Sequence, residues 1–261
     1  MMRFPMLQKL IRYRFLFEEL VKRDFKKKYK RTVLGMLWSI ISPLMTLAVL
    51  AAVFSQFFGR ETPHYVIYIF CGNLLFSYFS DATTGGMRSL MDNASIFTKV
   101  DVPKYMFLLS RNVQSFINFL LTLGVFFVFV AFEPGLPFRW TFLLLLYPIA
   151  CISIFNIGMG MILSALYVFF RDIEYLYSVF TMLLMYLSAI FYNISAYPLQ
   201  IQYLFYANPV YVYIRYFRKI VIENDIPEPS FHLLCALYAL IALGIGSWIY
   251  KKYNHKFLYY V

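Results

Sequence analysis

The chain has 261 residues, of which 61% are hydrophobic and 14% charged, and its mean hydropathy is +0.65. Soluble domains usually hold about 45–50% apolar and about 25% charged residues, so this composition excludes an ordinary soluble protein and indicates a polytopic membrane protein. Most of the formal net charge of +11 flanks apolar segments, which favours membrane lipid headgroups over nucleic acid as the counter-charge.

The N-terminal arm, residues 1–31, is interrupted by charges throughout and does not read as a span. Its apolar side chains recur at spacings of three or four, which predicts an amphipathic helix over 5–31 lying in the plane of the interface. A helix packed on a soluble partner is the alternative. The apolar positions are Leu10, Tyr13, Phe17, Val21, Phe25 and Tyr29.

The arm ends in a basic run, residues 22–31, with seven Lys or Arg in ten positions. From Thr32 no ionisable residue follows until Arg60. A basic cluster that abuts a long apolar segment is typical of the cytoplasmic flank of a membrane span.

Six segments are long and apolar enough to cross a membrane, which takes about 20 residues. They are 34–57, 65–84, 105–132, 140–169, 174–192 and 230–250. Polar residues dilute the second segment, and Pro43 is expected to kink the first. The sequence therefore predicts an all-α polytopic fold, with residues 1–261 forming a single membrane domain.

The connecting segments predict the orientation. Eighteen of the 24 Lys and Arg residues would share the side of the two termini, which places both termini in the cytoplasm. The opposite side would hold Arg60, Arg139, Arg215, Arg218 and Lys219.

Two segments between the spans have structure of their own. Residues 85–104 form a cytoplasmic loop that opens with a glycine pair and leaves room for a short helix at 87–97. Residues 193–229 form an external segment too apolar for a free loop, which favours two short helices that dip into the membrane and break between Asn208 and Pro209. A small extracellular cap is the alternative.

Motifs for an energy source or a catalytic centre are missing from the sequence. It has no G-x-x-x-x-G-K-[ST] loop, its three histidines lack metal-ligand spacing, and no paired carboxylates lie within the spans. We therefore expect no cofactor in this chain. If it transports, another subunit must supply the energy.

The junction FKKKYKRTVLGMLWSIISP, residues 25–43, resembles the permease subunits of ABC polysaccharide exporters, which move O-antigens, capsules and teichoic acids. Leu75 with Phe76, the loop residues 97–99 before Val102 and Pro103, the run 167–173 (YVFFRDI) and residues 207–209 also match that family's pattern, in its order.

The resemblance implies a homodimeric permease in the bacterial inner membrane, paired with two copies of a separate ABC ATPase subunit that binds ATP and Mg. It also implies an in-plane N-terminal helix, a cytoplasmic coupling helix within 85–104, and external gate helices between spans five and six. The substrate is then a lipid-linked glycan.

Three groups of site residues follow. For the substrate's diphosphate headgroup we expect Lys26, Lys27, Lys28, Lys30, Arg31, Leu34, Gly35 and Arg111. For the glycan channel we expect Tyr65, Tyr68, Phe76, Tyr186, Tyr192 and Tyr206. For ATPase coupling we expect Met87, Leu90, Met91, Ile96, Phe97, Arg171, Asp172 and Glu174.

Each group has a plainer alternative. The lysines can simply anchor the chain to anionic lipid, and Arg111 can make an interhelical bond or extend to the interface. The aromatic residues can face lipid. The five apolar coupling residues are assigned because the sequence shows nothing for them to pack against, and the charged three are expected to fix a turn by mutual pairing and by contact with the arm.

The primary hypothesis is ATP-driven export of a lipid-linked polysaccharide, with this chain as the passive conduit. A related ABC exporter of drugs or lipids is one alternative. A membrane enzyme acting on polyprenyl-linked sugars is another, but the sequence shows no cluster of Asp, Glu or His near a membrane face.

Overall fold

The computed structural model describes residues 13–59, 62–100 and 102–260, apart from the side chain of Ala196. Within these ranges every regular element is a helix, which confirms the all-α class. Residues 5–12 of the predicted interface helix lie outside the described part of the chain.

Ten α-helices follow one another in the described part of the chain. They are α1 (Arg14–Tyr29), α2 (Trp38–Phe58), α3 (Tyr65–Asp92), α4 (Ala94–Phe97), α5 (Tyr105–Phe132), α6 (Leu146–Phe169), α7 (Ile173–Leu187), α8 (Leu199–Phe205), α9 (Pro209–Val221) and α10 (Pro229–Tyr253). Short 3₁₀ turns, Gly35–Leu37 and Trp140–Leu145, lead into α2 and α6, and two more occupy Ile194–Ala196 and Lys256–Leu258.

Helix α3 is the centre of the bundle. It is buried along most of its length and packs against α2, α5, α6 and α9, while α6 and α10 form the most extensive helix pair. Helices α2 and α7 are peripheral, and each has a single buried residue, Leu47 and Tyr177.

Two apolar clusters define the two ends of the bundle. At the end that carries α1, Leu20 packs with Leu90, Phe107, Val168 and other residues, and we call this the junction end. The larger cluster joins the start of α3 to the end of α5, the start of α6 and α9, and we call that the far end.

Four helical segments are apolar and long enough to cross a membrane by length and composition: Gly35–Phe58, Tyr105–Phe132, Trp140–Phe169 and Pro229–Tyr253. They match four of the predicted spans. The predicted span 65–84 lies within the longer but more polar α3, and the span predicted at 174–192 is shorter than expected because α7 ends at Leu187. The count of six remains a prediction.

The sequence predicted that the glycine pair at 85–86 opens a loop, but the helix continues through it. Helix α3 runs through it to Asp92, and only the four residues of α4 follow. A Cβ at Gly86 would lie 3.1 Å from the Cα of Gly160 in α6. The glycine therefore serves close helix packing rather than a turn.

Two helices do meet at the predicted break in the segment 193–229. The side chain of Asn208 caps α9 by accepting hydrogen bonds from the backbone N–H groups of Val210 and Tyr211, at 3.0 and 3.4 Å. Ten of the thirteen residues of α9 are buried. This helix is therefore part of the core of the chain and not a cap on its surface.

Candidate functional site

The arm helix α1 is fixed to α5 by an acidic residue that sequence reasoning missed. Asp24 lies inside the basic run but is 3% exposed. Its carboxylate accepts hydrogen bonds from Arg23 at 2.7 Å and from the hydroxyl of Ser110 at 3.1 Å, and its backbone carbonyl accepts one from Gln114 at 3.2 Å. A buried carboxylate needs such partners, so Asp24 sets how the run faces the bundle.

A second contact ties α1 to the end of α3. The guanidinium of Arg23 donates a hydrogen bond to the side-chain oxygen of Asn93 at 2.6 Å, and Asn93 in turn donates to the carbonyl of Ser89 at 2.7 Å. The described residues of the predicted apolar face are all half-buried: Tyr13, Phe17, Val21, Phe25 and Tyr29. The most buried residues of α1 are instead Leu20 and Asp24.

The turn between α1 and α2 uses two left-handed residues, Arg31 with φ 66° and Gly35 with φ 52°. The conformation of Gly35 is one that glycine adopts more readily than other residues. Close packing does not require glycine there, because a Cβ at Gly35 would meet nothing within 4 Å. Backbone conformation, not crowding, is the reason for glycine at this position.

The basic run lines two faces of α1, and Lys27 lines a cavity on each of them. On its outer side Lys22, Lys26, Lys30 and Gly35 line an open groove, the outer groove, with a volume of about 930 Å³. Lys22 donates a hydrogen bond to Glu19 at 2.8 Å, and this bond raises the pKa of the lysine and keeps it charged.

On the inner side of α1, a pocket of about 330 Å³ brings together residues from three helices. We call it the basic pocket. It is lined by Lys27, Lys28, Asp81, Gly85, Arg111, Gln114 and Ser115. Arg111 is held at its edge by Gln114, at 2.9 Å, and by Asp92, at 3.4 Å.

Three cations and one carboxylate line the basic pocket, so it carries an excess of positive charge. Lys28 is only loosely paired with Asp81, at 3.6 Å, and both side chains are more than a third exposed. Lysine and arginine side chains that line the same pocket can bind a phosphate group by charge-assisted hydrogen bonds. Arg31 and Leu34, also predicted for the headgroup, line neither this pocket nor the outer groove.

A third cavity, of about 410 Å³, opens beside the basic pocket and shares Lys28, Asp81 and Ser115 with it. We call it the polar cavity. It lies between the end of α1, the start of α2, and the facing sides of α3 and α5. It is lined by Lys28, Tyr29, Thr32, Trp38, Ser39, Ser42, Pro43, Asn73, Leu74, Ser77, Tyr78, Asp81, Ser115, Asn118, Phe119 and Thr122.

The far end holds a second buried charge. Arg218 lies in the segment predicted to be external, and inside α9 it is 2% exposed. Its guanidinium donates four hydrogen bonds of 2.8–3.2 Å, to the backbone carbonyls of Tyr68, Ala189 and Ile190, and lies 3.4 Å from the centroid of the Tyr68 ring. It therefore joins α3 to the chain just after α7.

The aromatic residues predicted for a glycan channel separate into two groups. Tyr65, Tyr68 and Phe76 belong to the core, and the hydroxyls of both tyrosines donate to backbone carbonyls, at 2.6 and 2.8 Å. All three side chains therefore lie inside this chain, and their place on a glycan channel stays a prediction. Tyr186 is 51% exposed, and Tyr192 and Tyr206 are half-buried.

The five apolar coupling residues were assigned because the sequence shows nothing for them to pack against. This premise is wrong for three of them. Met87, Leu90 and Phe97 are at most 4% exposed, because they pack inside this chain. Met91 and Ile96 are half-buried. The exposed part of the segment comes later in the chain, at Thr98, Lys99 and Val100.

The charged residues after α6 do not pair as expected. Within the described residues, no ion pair joins Arg171, Asp172 or Glu174 to one another or to the arm. Glu174 instead pairs with Arg88 of α3 and accepts a hydrogen bond from the hydroxyl of Tyr167 at 2.7 Å. The turn is thus fixed to α3.

The described part of the chain contains no group of three or more His, Cys, Asp or Glu that could hold a metal ion. The basic pocket and the polar cavity offer cations, hydroxyls and amides to a ligand.

Comparison with known proteins agrees with a membrane transport role for this set of features. The sequence model of the ABC-2 type transporter family matches residues 16–222.

Among curated proteins, the chain is similar to O-antigen export system permease proteins RfbA from Klebsiella pneumoniae (28% identical over 251 residues, 93% of this chain and 95% of the relative) and Myxococcus xanthus (24% over 258 residues, 97% of each). It is also similar to the Escherichia coli polysialic acid transport protein KpsM (21% over 244 residues, 92% of this chain and 94% of the relative).

Proposed function

Because this chain belongs to the ABC-2 type transporter family, we propose that it is the transmembrane subunit of an ATP-driven exporter of a lipid-linked polysaccharide. Relatives named as O-antigen export and polysialic acid transport proteins cover 92–97% of this chain, which supports a polysaccharide as the cargo. The chain is a transporter subunit and not an enzyme, and a separate ATPase subunit with ATP and Mg supplies the energy.

The observation that carries the proposal is the basic pocket. Two lysines from the basic run and Arg111 from α5 meet in one cavity, although 83 residues separate Lys28 from Arg111 in the sequence. A charge inside a membrane helix is costly unless it serves a ligand or a partner. The diphosphate that joins a lipid carrier to a glycan would offset this positive charge.

The wider architecture follows from the same proposal. We infer six spans, formed by α2, α3, α5, α6, α7 and α10, with both termini in the cytoplasm of a bacterium and the chain in its inner membrane. The bias of Lys and Arg towards the junction end supports this orientation. The junction end is then cytoplasmic and the far end external.

A second copy of the chain is proposed as a partner. Helices α2 and α7 each bury one residue and expose several large apolar side chains, which a bilayer or a second copy would cover. The glycan would then pass between the two copies, with exposed Tyr186 on its path and α8 and α9 as the external gate.

ATPase docking is proposed for the exposed part of the cytoplasmic segment. Half-buried Ile96 lies in α4 beside the buried Phe97, and the exposed Lys99 and Val100 follow that helix. Buried Phe97 anchors this surface in the core of the junction end, so movement of a partner bound there would be transmitted to α3 and α5.

The test is the ATPase activity of the complex, reconstituted in lipid vesicles with its ATPase subunit and titrated with a short glycan on polyprenyl diphosphate. Lys27→Ala with Lys28→Ala removes two charges of the basic pocket. We expect it to raise the substrate concentration for half-maximal stimulation about tenfold, the effect of losing one or two charged hydrogen bonds.

The matched control is Lys30→Ala with Arg31→Ala, which removes two charges of the same run that do not line the basic pocket. It should stay within about twofold of the parent, since neither residue lines the basic pocket. If both pairs respond alike and at the parent's substrate concentration, the run is only a lipid anchor and the headgroup site is elsewhere.

A further inference from the structure

The wall of the polar cavity contains side chains that no protein atom satisfies. Asn73 is 9% exposed and Ser115 is 6% exposed, and within the described residues neither side chain has a hydrogen-bond partner. The exposed hydroxyl of Ser77 also lines the cavity and has no partner there. The amide nitrogen of Asn118 is buried and has no partner either, while its oxygen accepts a hydrogen bond from Tyr29 at 2.8 Å. Unpaired polar groups inside a membrane bundle are costly, so this wall fits a polar ligand.

The cavity is long and wide enough to hold a small ligand. Asn73 and Asp81 both line it from α3 and are eight residues apart, so the cavity extends about 12 Å along that helix. Its volume of about 410 Å³ falls within the range of small-ligand sites, about 300–1,000 Å³. A lipid tail in it would leave the amides and hydroxyls unpaired.

The chemistry of the wall favours a neutral, hydroxyl-rich ligand. Its only charged lining residues, Lys28 and Asp81, are those it shares with the basic pocket, and the remaining polar groups are amides and hydroxyls. Trp38, Tyr78 and Phe119 add aromatic surface. A sugar ring has hydroxyls for the polar groups and apolar C–H faces for the rings.

We propose that the polar cavity is a carbohydrate subsite, which holds the first sugar of the lipid-linked glycan while the diphosphate occupies the basic pocket. This inference rests on the proposed function. The two cavities share Lys28, Asp81 and Ser115, so a sugar attached to a bound diphosphate would enter the polar cavity directly. The exporter would thereby recognise the glycan at its carrier-linked end.

The experiment uses the full chain in lipid nanodiscs and two probes, a polyprenyl diphosphate that carries one N-acetylhexosamine and the same polyprenyl diphosphate without sugar. The sequence has three tryptophans, and only Trp38 lines the cavity. In a background of Trp140→Phe and Trp248→Phe, the fluorescence of Trp38 reports binding. We expect the sugar-bearing probe to bind about tenfold tighter than the bare one, the effect of one or two hydrogen bonds.

The variant Asn73→Leu with Ser77→Val keeps the approximate shape of the wall and removes its polar groups. It should bring both probes to the same affinity and leave binding of the bare probe unchanged. Ser77→Val alone, as a milder change, should lose part of the gain. Ser80→Val is the matched control on the same helix, because Ser80 does not line the cavity, and it should keep the full gain.

Three results would overturn the subsite. The parent protein binds both probes equally; the double variant keeps the preference for the sugar; or the double variant, still folded by circular dichroism, also loses the bare probe, in which case the cavity belongs to the diphosphate site. In all three the proposed function stands. If neither probe binds the parent protein, the proposed function fails as well.

Discussion

Arg218 at the far end and the wall of the polar cavity differ in how their buried polar groups are paired. At the far end, Arg218 donates four hydrogen bonds to backbone carbonyls and stacks on Tyr68, so its guanidinium is well satisfied inside the protein. In the polar cavity, the side chain of Asn73 and the amide nitrogen of Asn118 have no partner within the described residues. The closed network holds the fold together, and the open one is available to a ligand. The same type of residue is thus structural or functional according to what surrounds it.

The largest effect is expected from removing the hydrogen bonds that Arg218 donates. Arg218→Met leaves the carbonyls of Ala189 and Ile190 without their donors, and we expect a loss of on the order of 3 kcal/mol or more, measured as a lower unfolding temperature in detergent. Arg215→Met is the matched control on the same helix. Arg215 pairs with partly exposed Glu223, so its loss should cost about 1 kcal/mol or less. Equal destabilisation by the two changes would refute the structural role of Arg218.

The next change separates packing from docking at the junction end. Phe97 is 4% exposed and Val100 is 55% exposed. Phe97→Asp should destabilise the protein by at least about 3 kcal/mol. Val100→Asp should leave the unfolding temperature nearly unchanged but reduce the amount of ATPase subunit that co-purifies. Undiminished co-purification with Val100→Asp would remove this residue from the docking surface.

A smaller effect is expected at Gly35. Its φ of 52° costs a residue with a Cβ about 1–2 kcal/mol, although nothing lies within 4 Å of the added atom. Gly35→Ala and Gly35→Val should therefore both lower substrate-stimulated ATPase activity. Gly35→Asn should keep most of it, since asparagine tolerates the left-handed region. A harmless alanine beside a harmful valine would mean that crowding, not φ, decides.

The smallest effect belongs to the ion pair between Arg88 and Glu174, whose side chains are 47% and 28% exposed. Arg88→Glu should cost about 0.2–1 kcal/mol, and adding Glu174→Arg should restore it. The same reversal at Arg171 and Asp172 should change nothing measurable, because the structure shows no pair there. A larger loss at Arg171 would reinstate the pairing expected from the sequence.

How much the sequence could predict depends on the range of the interactions. Apolar length and the clustered lysines are local signals, and they led to the helical fold and to the basic run. The burial of Asp24 and Arg218 depends on partners in other helices, so a local reading counted each as an ordinary surface charge. Gly86 was predicted to open a loop, because its packing partner, Gly160, is 74 residues away and leaves no local signal in the sequence.

The same limit applies to the candidate site. The sequence predicted that the run and Arg111 bind a headgroup, but α5 decides which lysines face it, and Asp24 fixes that orientation. The polar cavity was not predicted from the sequence, because its wall takes two Ser or Asn residues from each of three helices that are far apart in the chain. A polar residue in each of three facing spans, near the same depth, is the pattern that could have indicated it.

The central claim is that the substrate's diphosphate and first sugar occupy the inner side of α1. Photo-crosslinking tests it most directly, with a polyprenyl diphosphate sugar that carries a diazirine on the sugar ring, bound to the full complex and analysed by mass spectrometry. We predict adducts on α3 and α5 near Ser77 and Ser115, with labelling suppressed by excess unlabelled probe. Adducts confined to the outer groove, around Lys30 and Met36, would contradict the account.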